Sequence, residues 1–538
     1  MKKGLVISAL MFMAGMVSAK TYYVSPVMGN DSNKGTSAVV PFKTLDRIAE
    51  IELMPGDSVL LHTEGMHKGV LKLIDVCGGN DSPVYVSAYD TMKGRRRLAR
   101  IDAAESVAGV YMENCKHIAV SRLMITANGG AADELARKEK MRSGVLVKVS
   151  KEGSYGDISL EQLHIKDVYY NQAGFKRGKA EVRTSNGTQT YGWGIRFINP
   201  MDNAVLENIS VCHSTIEDVA HTGIKITGKK RNIRNFVLAY NDVLRSGGPG
   251  IQISGGEKGH VHNNEVAYSG SEDDTRKWGR GSGLWTWGTK DVLIEKNRFM
   301  YSNGPGDSAG AHIDFNCGNI IMQYNLSAYN AGGFCEILGN NYNCVYRYNI
   351  SVNDGFRRKG QGGAFQEGKT LWTSGYVGKK QKPKGPFNSY IYNNTIYASD
   401  DIKSQMAIGN TTNKLWIANN IIYMKGGIKS VLGDQYRAEK KGESQAKGVM
   451  VCNNLFVDVE DWNKAVEFAS KNSFSGNPDF KNEGGMCPKD YIPMNNAAVK
   501  DRGVEIPLTG GIEPLGRDFL GNPVVGKPDL GAIECEND

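Results

Sequence analysis

The sequence predicts an all-β solenoid, a parallel β-helix in which every turn of chain contributes three short strands. The first observation is a repeat between about residues 208 and 349, where two short apolar runs flank an Asn in each copy. The second is the composition of these runs, which are rich in Val, Ile, Phe and Tyr, as is typical of strands. The third is that the repeats lack the 3.6-residue periodicity of paired helices. A repeat of this length indicates a solenoid or a propeller, and the units are too short for four-stranded blades.

The repeated Asn has a physical role in such a solenoid. It occupies equivalent positions in successive turns, and Ser214 takes that position one turn earlier. Amide side chains stacked one turn apart bond to one another, and Asn tolerates a left-handed turn between two strands. We therefore predict a ladder made of Asn241, Asn264, Asn297, Asn325, Asn349, Asn394, Asn420 and Asn454.

The chain begins with the pattern of a secretory signal. Lys2 and Lys3 precede an apolar stretch that ends in the small residues Val17, Ser18 and Ala19, as before a cleavage site. No Cys follows that site, so a lipid anchor is not expected, and no later segment is apolar enough to span a membrane. We expect a secreted or periplasmic protein with a signal at 1–19, a β-helix domain over 20–490 and a C-terminal cap over 491–538.

Residues 20–75 predict a cap over the first turn of the solenoid. A strand leads into the segment PFKTLDRIAEIEL, in which Leu45, Ile48 and Ile51 share one face of a helix. An open end of a parallel stack exposes unpaired strand edges, which a terminal helix covers. An N-terminal helical cap is therefore expected.

The charge of the chain narrows the class of molecule that it is expected to bind. The formal net charge is +8, and basic runs fall between strands, which favours an anionic polysaccharide partner. No nucleic-acid-binding motif is present, so nucleic acid is not expected.

The nine Cys form an odd number, and those inside apolar runs are interpreted as small core residues. No metal site is expected, because His260 and His262 lack further ligands. Ca²⁺ held by acidic loop residues stays an open alternative. We expect the protein to be a monomer.

Three segments resemble a known family. They are the opening with YYVSP, GNDSNKGTS, PFKTL and LMPGDSVLL, the repeat VLIEKNRFMYSNGPGDSAGAHIDFNCGNIIMQYNLSAYNAGG, and the tail GRDFLGNPVVGKPDLGAIE. They resemble secreted right-handed parallel β-helix enzymes of the pectate-lyase superfamily, over most of the mature chain. The resemblance implies a right-handed coil and action on polysaccharides. That superfamily includes both lyases and glycoside hydrolases, so the reaction has to be argued from the site.

One outward column along the third strand of each turn carries the candidate site. Strand alternation turns one set of side chains inward, which is Ile224, Ile226, Ile251, Ile253, Ile313 and Phe315. The outward set changes from cations through aromatic rings to acids, and exposed Trp side chains are costly unless they are covered or bind a ligand such as a sugar. This predicted column consists of Arg196, Lys225, Gln252, Trp285, Trp287, His312, Asp314, Glu336 and Gln366.

Two reactions fit this column. β-Elimination on a uronic-acid polysaccharide needs a cation near the C6 carboxylate, a base for the C5 proton and an acid for the leaving oxygen. Arg196, Lys225 and His221 supply such groups, and His312 is a second candidate base. Glycoside hydrolysis needs paired carboxyl groups, which Asp314 and Glu336 supply at the roughly 5 Å spacing of retaining enzymes.

The basic loops favour the lyase, acting on a glycosaminoglycan-like or pectin-like chain. Hydrolysis is the first alternative, and a non-catalytic carbohydrate-binding β-helix is the second. Substrate contacts are predicted from Gln252, Trp285, Trp287, Lys258, His260, Arg280, Arg357 and Arg358.

Overall fold

The computed structural model describes residues 19–91, 96–130, 139, 141–170, 178, 180–434, 437–438, 444–459, 462 and 470–535. The predicted secretory signal, apart from Ala19, lies outside these residues.

Three sheets of stacked strands wind around one core, as predicted for a parallel β-helix. The chain passes through sheet 1, sheet 2 and sheet 3 in each turn, and every strand pairs in parallel with its copy in the next turn. Only Arg437–Ala438, at the end of sheet 3, runs antiparallel among the described strands.

Sheet 1 contains Thr21–Val24, Ser58–His62, Val84–Tyr89, Lys116–Ser121, Gly153–Glu161, Ala204–Cys212, Ile233–Ala239, Gly256–His262, Lys290–Glu295, Gly318–Gln323, Val345–Arg347, Phe387–Tyr392, Asn413–Ala418 and Lys447–Cys452. Sheet 2 contains His67–Lys68, Ala99–Asp102, Leu123–Gly129, His164–Tyr170, Thr215–Val219, Asp242–Leu244, Glu265–Ala267, Arg298–Met300, Leu326–Ala328, Ile350–Val352, Thr395–Ala398, Ile421–Met424, Leu455–Val457 and Phe474–Ser475. Sheet 3 contains Leu71–Ile74, Ala108–Glu113, Arg142–Lys148, Gly192–Asn199, Ile224–Gly228, Ile251–Ser254, Leu284–Trp287, Ala311–Ile313, Cys335–Ile337, Lys369–Thr373, Ser404–Ile408, Ile428–Asp434 and Arg437–Ala438.

The helices in the described part of the chain are short. Asp46–Ala49 and Asn496–Val499 are α-helical, and Glu181–Arg183 and Pro488–Tyr491 are 3₁₀ turns. Beside the first helix, Leu45 and Ile48 are buried in the main core and Ile51 packs against it, so the predicted apolar face lies over the solenoid.

The core is the inner row of β-branched and aliphatic side chains from all three sheets. Ile224, Ile251 and Ile313 are fully buried, as predicted, because alternation turns every second residue of sheet 3 inward. Phe315 is an exception, and its predicted inward position is wrong. Its strand ends at Ile313, so the ring lies on the outer face and Cys317 fills the interior instead.

The Asn ladder is confirmed. The side-chain amides of Asn241, Asn264 and Asn297 each donate to the side-chain carbonyl of the next Asn at 2.9–3.0 Å. The same bond continues to Asn454, and Ser214 joins the ladder through its backbone N–H. Each amide also donates to a strand carbonyl, so these buried polar groups are paired.

The left-handed turn sits one residue earlier than predicted. Tyr240, Lys296 and Tyr324 have φ near +56° and directly precede Asn241, Asn297 and Asn325. The Asn side chain therefore pairs the backbone groups that this turn leaves without a strand partner.

The C-terminal segment runs back along the outside of the solenoid. Tyr491, Val499 and Leu530 are buried against the outer face of sheet 2. Ile506 and Ile512 pack on a row of tyrosines on sheet 1. All nine Cys lie in the described chain and none forms a disulfide, which agrees with the interpretation of most of them as core residues.

The ladder is expected to carry stability. Asn297→Ala leaves the buried backbone N–H of Asn264 and neighbouring amide groups without partners, which lowers the free energy of unfolding by roughly 2–3 kcal/mol. Chemical denaturation followed by circular dichroism measures this change. The exposed Asn303→Ala is the control and is expected to change stability by less than about 0.5 kcal/mol. Equal effects of the two substitutions would contradict a structural role for the ladder.

Candidate active site

A cleft of about 510 Å³ lies on the outer face of sheet 3. Parallel pairing sets Lys225 beside Gln252, Gln252 beside Trp285 and Trp285 beside His312. Neighbouring strands are about 4.8 Å apart, so equivalent positions form one continuous strip. From the predicted column, the cleft wall contains Lys225, Gln252, Trp285, Trp287, His312, Asp314, Glu336 and Gln366.

Asp307 is the carboxylate that sequence reasoning missed. Its two oxygens accept hydrogen bonds from Nε and Nη2 of Arg280 at 2.8 and 3.0 Å. Burial alone would raise the pKa of Asp307, but the charge and hydrogen bonds of Arg280 outweigh burial and hold the pKa below its usual range. Asp307 is therefore ionised at neutral pH.

Strand register supplies the signal that would have found this pair. Arg280 stands four residues before Leu284, and Asp307 stands four residues before Ala311. Leu284 and Ala311 are paired neighbours in sheet 3. Residues at equal distances before paired strands come close together when the two loops have similar paths.

Asp314 has the opposite electrostatic surroundings. It directly follows the strand Ala311–Ile313, and its Oδ1 accepts a hydrogen bond from the backbone N–H of Phe315 at 2.8 Å. It forms no salt bridge with any residue of the described chain. Burial raises the pKa of Asp314 to about 7, and the negative charge of Asp307 adds to the rise. Asp314 is therefore largely protonated below neutral pH.

Glu336 is a second carboxyl group that favours its protonated form. It lies on the next strand, Cys335–Ile337, and lines the same cleft. Burial raises its pKa well above the usual range, and the charges of Asp307 and Asp314 raise it further. Of the three carboxyl groups in the cleft, Asp307 is thus the one held as a carboxylate.

Aromatic rings form the apolar part of the wall. Trp287 is 42% exposed, and its ring meets Phe315 edge to face with centroids 6.0 Å apart. Phe315 meets Tyr376 in the same way at 5.7 Å. Trp372 takes the column position after Glu336. An exposed indole face beside polar groups is the surface on which sugar rings stack.

The two predicted catalytic histidines are placed differently. His312 borders the cleft, its Nδ1 lies 3.0 Å from Oγ of Ser282, and burial lowers its pKa to about 4. His221 is fully buried and stacks on Trp278 with ring centroids 4.7 Å apart. Its Nδ1 lies 2.8 Å from Oγ1 of Thr222 and its Nε2 3.0 Å from the carbonyl oxygen of Asn186. With both nitrogens occupied and the ring outside the cleft, this geometry does not fit the predicted role of a base.

His221 instead anchors a loop that forms one wall of the cleft. Ser185 and Asn186 of this loop line the cleft. Arg280 donates from Nη1 to the carbonyl oxygens of Val182 and Thr184 at 3.1 and 3.0 Å. Arg280 therefore joins this wall to Asp307.

Lys225 and Arg196 are adjacent cations, of which Lys225 is buried and Arg196 is partly exposed. Lys225 is 7% exposed and lines the cleft, and burial together with the charge of Arg196 lowers its pKa to about 7. Arg196, its partner on the preceding strand, lies over the ring of Trp193 at 4.5 Å and is not part of the cleft wall. Burial lowers the pKa of Arg196 to about 10.

Several predicted substrate contacts lie elsewhere. Lys258 and His260 are on strand Gly256–His262 of sheet 1 and are not part of the cleft wall on sheet 3, so their prediction as substrate contacts there is wrong. Arg358 donates to the carbonyl of Lys403 and is absent from the cleft wall. Lys258 and His260 lie on that face because the Gly256–His262 run pairs with strands of sheet 1.

Two further predictions need correction at the rim of the cleft. Arg357 lies behind the wall, where its Nη1 donates to the backbone carbonyl of Asp307 at 2.9 Å. Gln366 lines the cleft, but from a loop and not from a third strand as predicted, because the strand of this turn is Lys369–Thr373. Its Oε1 accepts the backbone N–H of Asp307 at 2.6 Å, so Gln366 positions the Asp307 loop.

No cluster of three or more His, Cys, Asp or Glu side chains that could hold a metal ion occurs in the described ranges. Within those ranges, none of the helices has the length and apolar character needed to cross a membrane.

Comparisons with known proteins agree with the fold. Residues 193–376 match the family model described as a right handed beta helix region. The chain is 25% identical to a lacto-N-biosidase of Bifidobacterium longum subsp. longum, with 96% of this chain and 36% of the relative aligned. The chain therefore spans about a third of the length of that relative. Together with the sheet topology, these matches show that the chain is a right-handed parallel β-helix.

Two solved structures illustrate the range of the likeness. The GH136 lacto-N-biosidase from Eubacterium ramulus shares 19% identity over 84% of this chain and 67% of its own, with a TM-score of 0.51. The pectate lyase Pel9A shares 14% identity over 97% of this chain and 98% of its own, with a TM-score of 0.37. The first likeness is one of fold, and the second is too low to bear on the reaction.

The pKa of Asp314 makes stability depend on pH. Its pKa is about 7 in the folded chain and near 3.8 when unfolded, so the folded state binds the extra proton between these values and stability falls as pH rises through this window. Asp314→Asn removes this loss, so we expect the melting temperature of the variant to exceed that of the wild type by more at pH 8 than at pH 4.

Asp31→Asn is the contrasting variant. Burial would raise the pKa of Asp31, but hydrogen bonds from Thr44 and Lys43 outweigh it and lower the pKa. This substitution is expected to lower the melting temperature most at neutral pH. A melting-temperature difference for Asp314→Asn that does not change with pH would contradict the protonated state assigned to this carboxyl group.

Proposed function

We propose that the protein is a glycoside hydrolase whose acid is Asp314 and whose ionised carboxylate is Asp307. The observation that carries this proposal is the opposite charge state of two carboxyl groups in one cleft. Arg280 keeps Asp307 ionised, while burial keeps Asp314 protonated up to about pH 7. Glycoside hydrolysis uses one carboxylic acid and one carboxylate on either side of the scissile bond.

The chemistry follows from these roles. Asp314 donates its proton to the glycosidic oxygen as the bond from that oxygen to the anomeric carbon breaks. Asp307 directs electron density toward the anomeric carbon, either by attack or by activating a water, and water supplies the hydroxyl group of the product. The two hydrogen bonds from Arg280 leave lone pairs on both oxygens of Asp307 for this step.

This assignment revises the predicted carboxylate pair. Asp314 and Glu336 line the same cleft, but burial raises the pKa of both. Two protonated groups lack the carboxylate that the reaction needs, and Asp307 fills that role. Glu336 is then a hydrogen-bond donor for a sugar hydroxyl, beside the aromatic wall.

Similarity supports hydrolysis over elimination. The relative from Bifidobacterium longum is named a lacto-N-biosidase, and it aligns with 96% of this chain. We propose that this chain likewise cleaves a glycosidic bond in an oligosaccharide. The exposed face of Trp287 and the polar side chains around it suit a sugar ring.

β-Elimination, which the basic loops favour, is the second candidate. The observation in its favour is Lys225, an amine in the cleft whose pKa of about 7 suits a base at neutral pH. Against it, Arg196 and His221, two of the predicted members of the lyase site, lie outside the cleft wall, and of the predicted bases only His312 lines it. An elimination product carries a C4–C5 double bond that absorbs in the near ultraviolet, which hydrolysis does not produce.

Leaving-group dependence separates the two carboxyl roles. We expect Asp314→Asn to slow cleavage of natural oligosaccharides by about 10²–10⁴-fold, since no proton reaches the leaving oxygen. A dinitrophenyl glycoside of the same sugar needs no such proton, so this variant should retain most of its activity on it. Asp307→Asn should lose activity on both substrates. The measurement is kcat/KM for each substrate and variant.

The exposed Asp202→Asn, at a residue that pairs with Lys229 and is not part of the cleft wall, is the matched control and should behave as wild type. Full activity of Asp307→Asn on the natural oligosaccharide would contradict the proposed pair, and so would equal losses of Asp314→Asn on both substrates.

A further inference from the structure

We propose that Lys225, backed by Arg196, forms a subsite for an oxyanion on the substrate, a carboxylate or sulfate group carried by a sugar. This inference rests on the proposed function, because it names a feature of the oligosaccharide that the hydrolase binds. The subsite belongs to the same cleft but not to the reacting carboxyl groups.

The first argument is the lack of a partner for Lys225. Its side chain is 7% exposed, yet it makes no hydrogen bond or ion pair with any residue in the described ranges. A buried ammonium group without a counter-charge is costly, and such groups are normally paired. Lys225 nevertheless lines the cleft, where a ligand reaches it.

The second argument is the neighbouring cation. Arg196 pairs in register with Lys225 on the adjacent strand, so two like charges lie one strand spacing apart. Glu139 is the acidic group whose charge acts on Arg196, but Glu139 is itself bound by Lys148. The negative charge around these two adjacent cations is therefore incomplete, and a bound oxyanion would supply more of it.

The third argument is the surrounding wall, which suits the rest of a sugar. Gln252 lies beside Lys225, and its Oε1 is buried without a hydrogen-bond partner. Its Nε2 lies 3.3 Å from Oγ of Ser254, and Thr227 and Asn186 complete the polar wall. Such acceptors and donors match sugar hydroxyl groups rather than a free inorganic ion alone.

The subsite lies away from the bond to be cleaved. Three strand spacings separate Lys225 from His312 in the column, which is about 14 Å. That spacing between strand positions exceeds one pyranose ring, which places the oxyanion on a sugar next to the one whose anomeric bond breaks. The oxyanion therefore determines which oligosaccharide binds, while Asp314 and Asp307 perform the chemistry.

Binding to Asp314→Asn protein tests the subsite without cleavage. The probes are inorganic sulfate, glucuronate and glucose, titrated by calorimetry. We expect sulfate or glucuronate, or both, to bind more tightly than glucose. Adding Lys225→Met should weaken oxyanion binding by at least roughly tenfold, as for loss of one partner of a buried charge pair. Lys225→Arg should keep most of it.

Lys414→Met, an exposed lysine on sheet 1, is the matched control and should leave binding unchanged. Circular dichroism and melting temperature show that each variant is folded. If only sulfate binds, the group recognised on the sugar is a sulfate; if only glucuronate binds, it is a carboxylate. Either result supports the subsite. Equal binding with and without the Lys225 ammonium group, or no preference for either oxyanion over glucose, would overturn it.

The two proposals fail separately. Oxyanion binding that needs Lys225, in a protein whose Asp307→Asn and Asp314→Asn variants keep full activity, would leave the subsite standing and remove the hydrolase assignment. If those variants lose activity but no oxyanion binds, the hydrolase assignment stands and the subsite is removed.

Discussion

The register between successive turns is the constraint on which the rest of this structure depends. Each residue of sheet 3 lies beside the equivalent residue one turn later, and a shift of one residue would turn the core outward. The buried Asn ladder holds this register through side-chain bonds at one corner of many turns. Because the ladder is internal and fully paired, the outer face of sheet 3 is free to vary its side chains.

The same register produces the electrostatics of the cleft. It brings Arg280 to Asp307 from two different loops, and it places Asp314 and Glu336 on neighbouring turns. Since all three carboxyl groups are only partly exposed, the guanidinium of Arg280 beside Asp307 decides which of them is ionised. A shared scaffold thus provides one carboxylate and two carboxylic acids within one strip.

The fold, the Asn ladder and most of the outward column could be predicted from the sequence, because they follow from the repeat length and from the alternation of side chains along each strand. Sequence reasoning did not predict Asp307 or Tyr376, since loop residues obey no period and their contacts depend on loop path. It missed Trp372 because the strand of that turn is Lys369–Thr373 and not the run that contains Gln366. It also placed His221 in the site, although tertiary packing against Trp278 encloses that ring. Lys258 and His260 were wrongly predicted as substrate contacts because the Gly256–His262 run reads as a loop in the sequence, whereas it forms a strand of sheet 1.

The central claim is that the protein cleaves a glycosidic bond by adding water, with Asp314 and Asp307 as acid and carboxylate. The most direct measurement is cleavage of an oligosaccharide in water enriched in oxygen-18, with products analysed by mass spectrometry. Hydrolysis predicts one heavy oxygen at the new reducing end and no unsaturated sugar. An unsaturated product that contains no heavy oxygen would contradict the account.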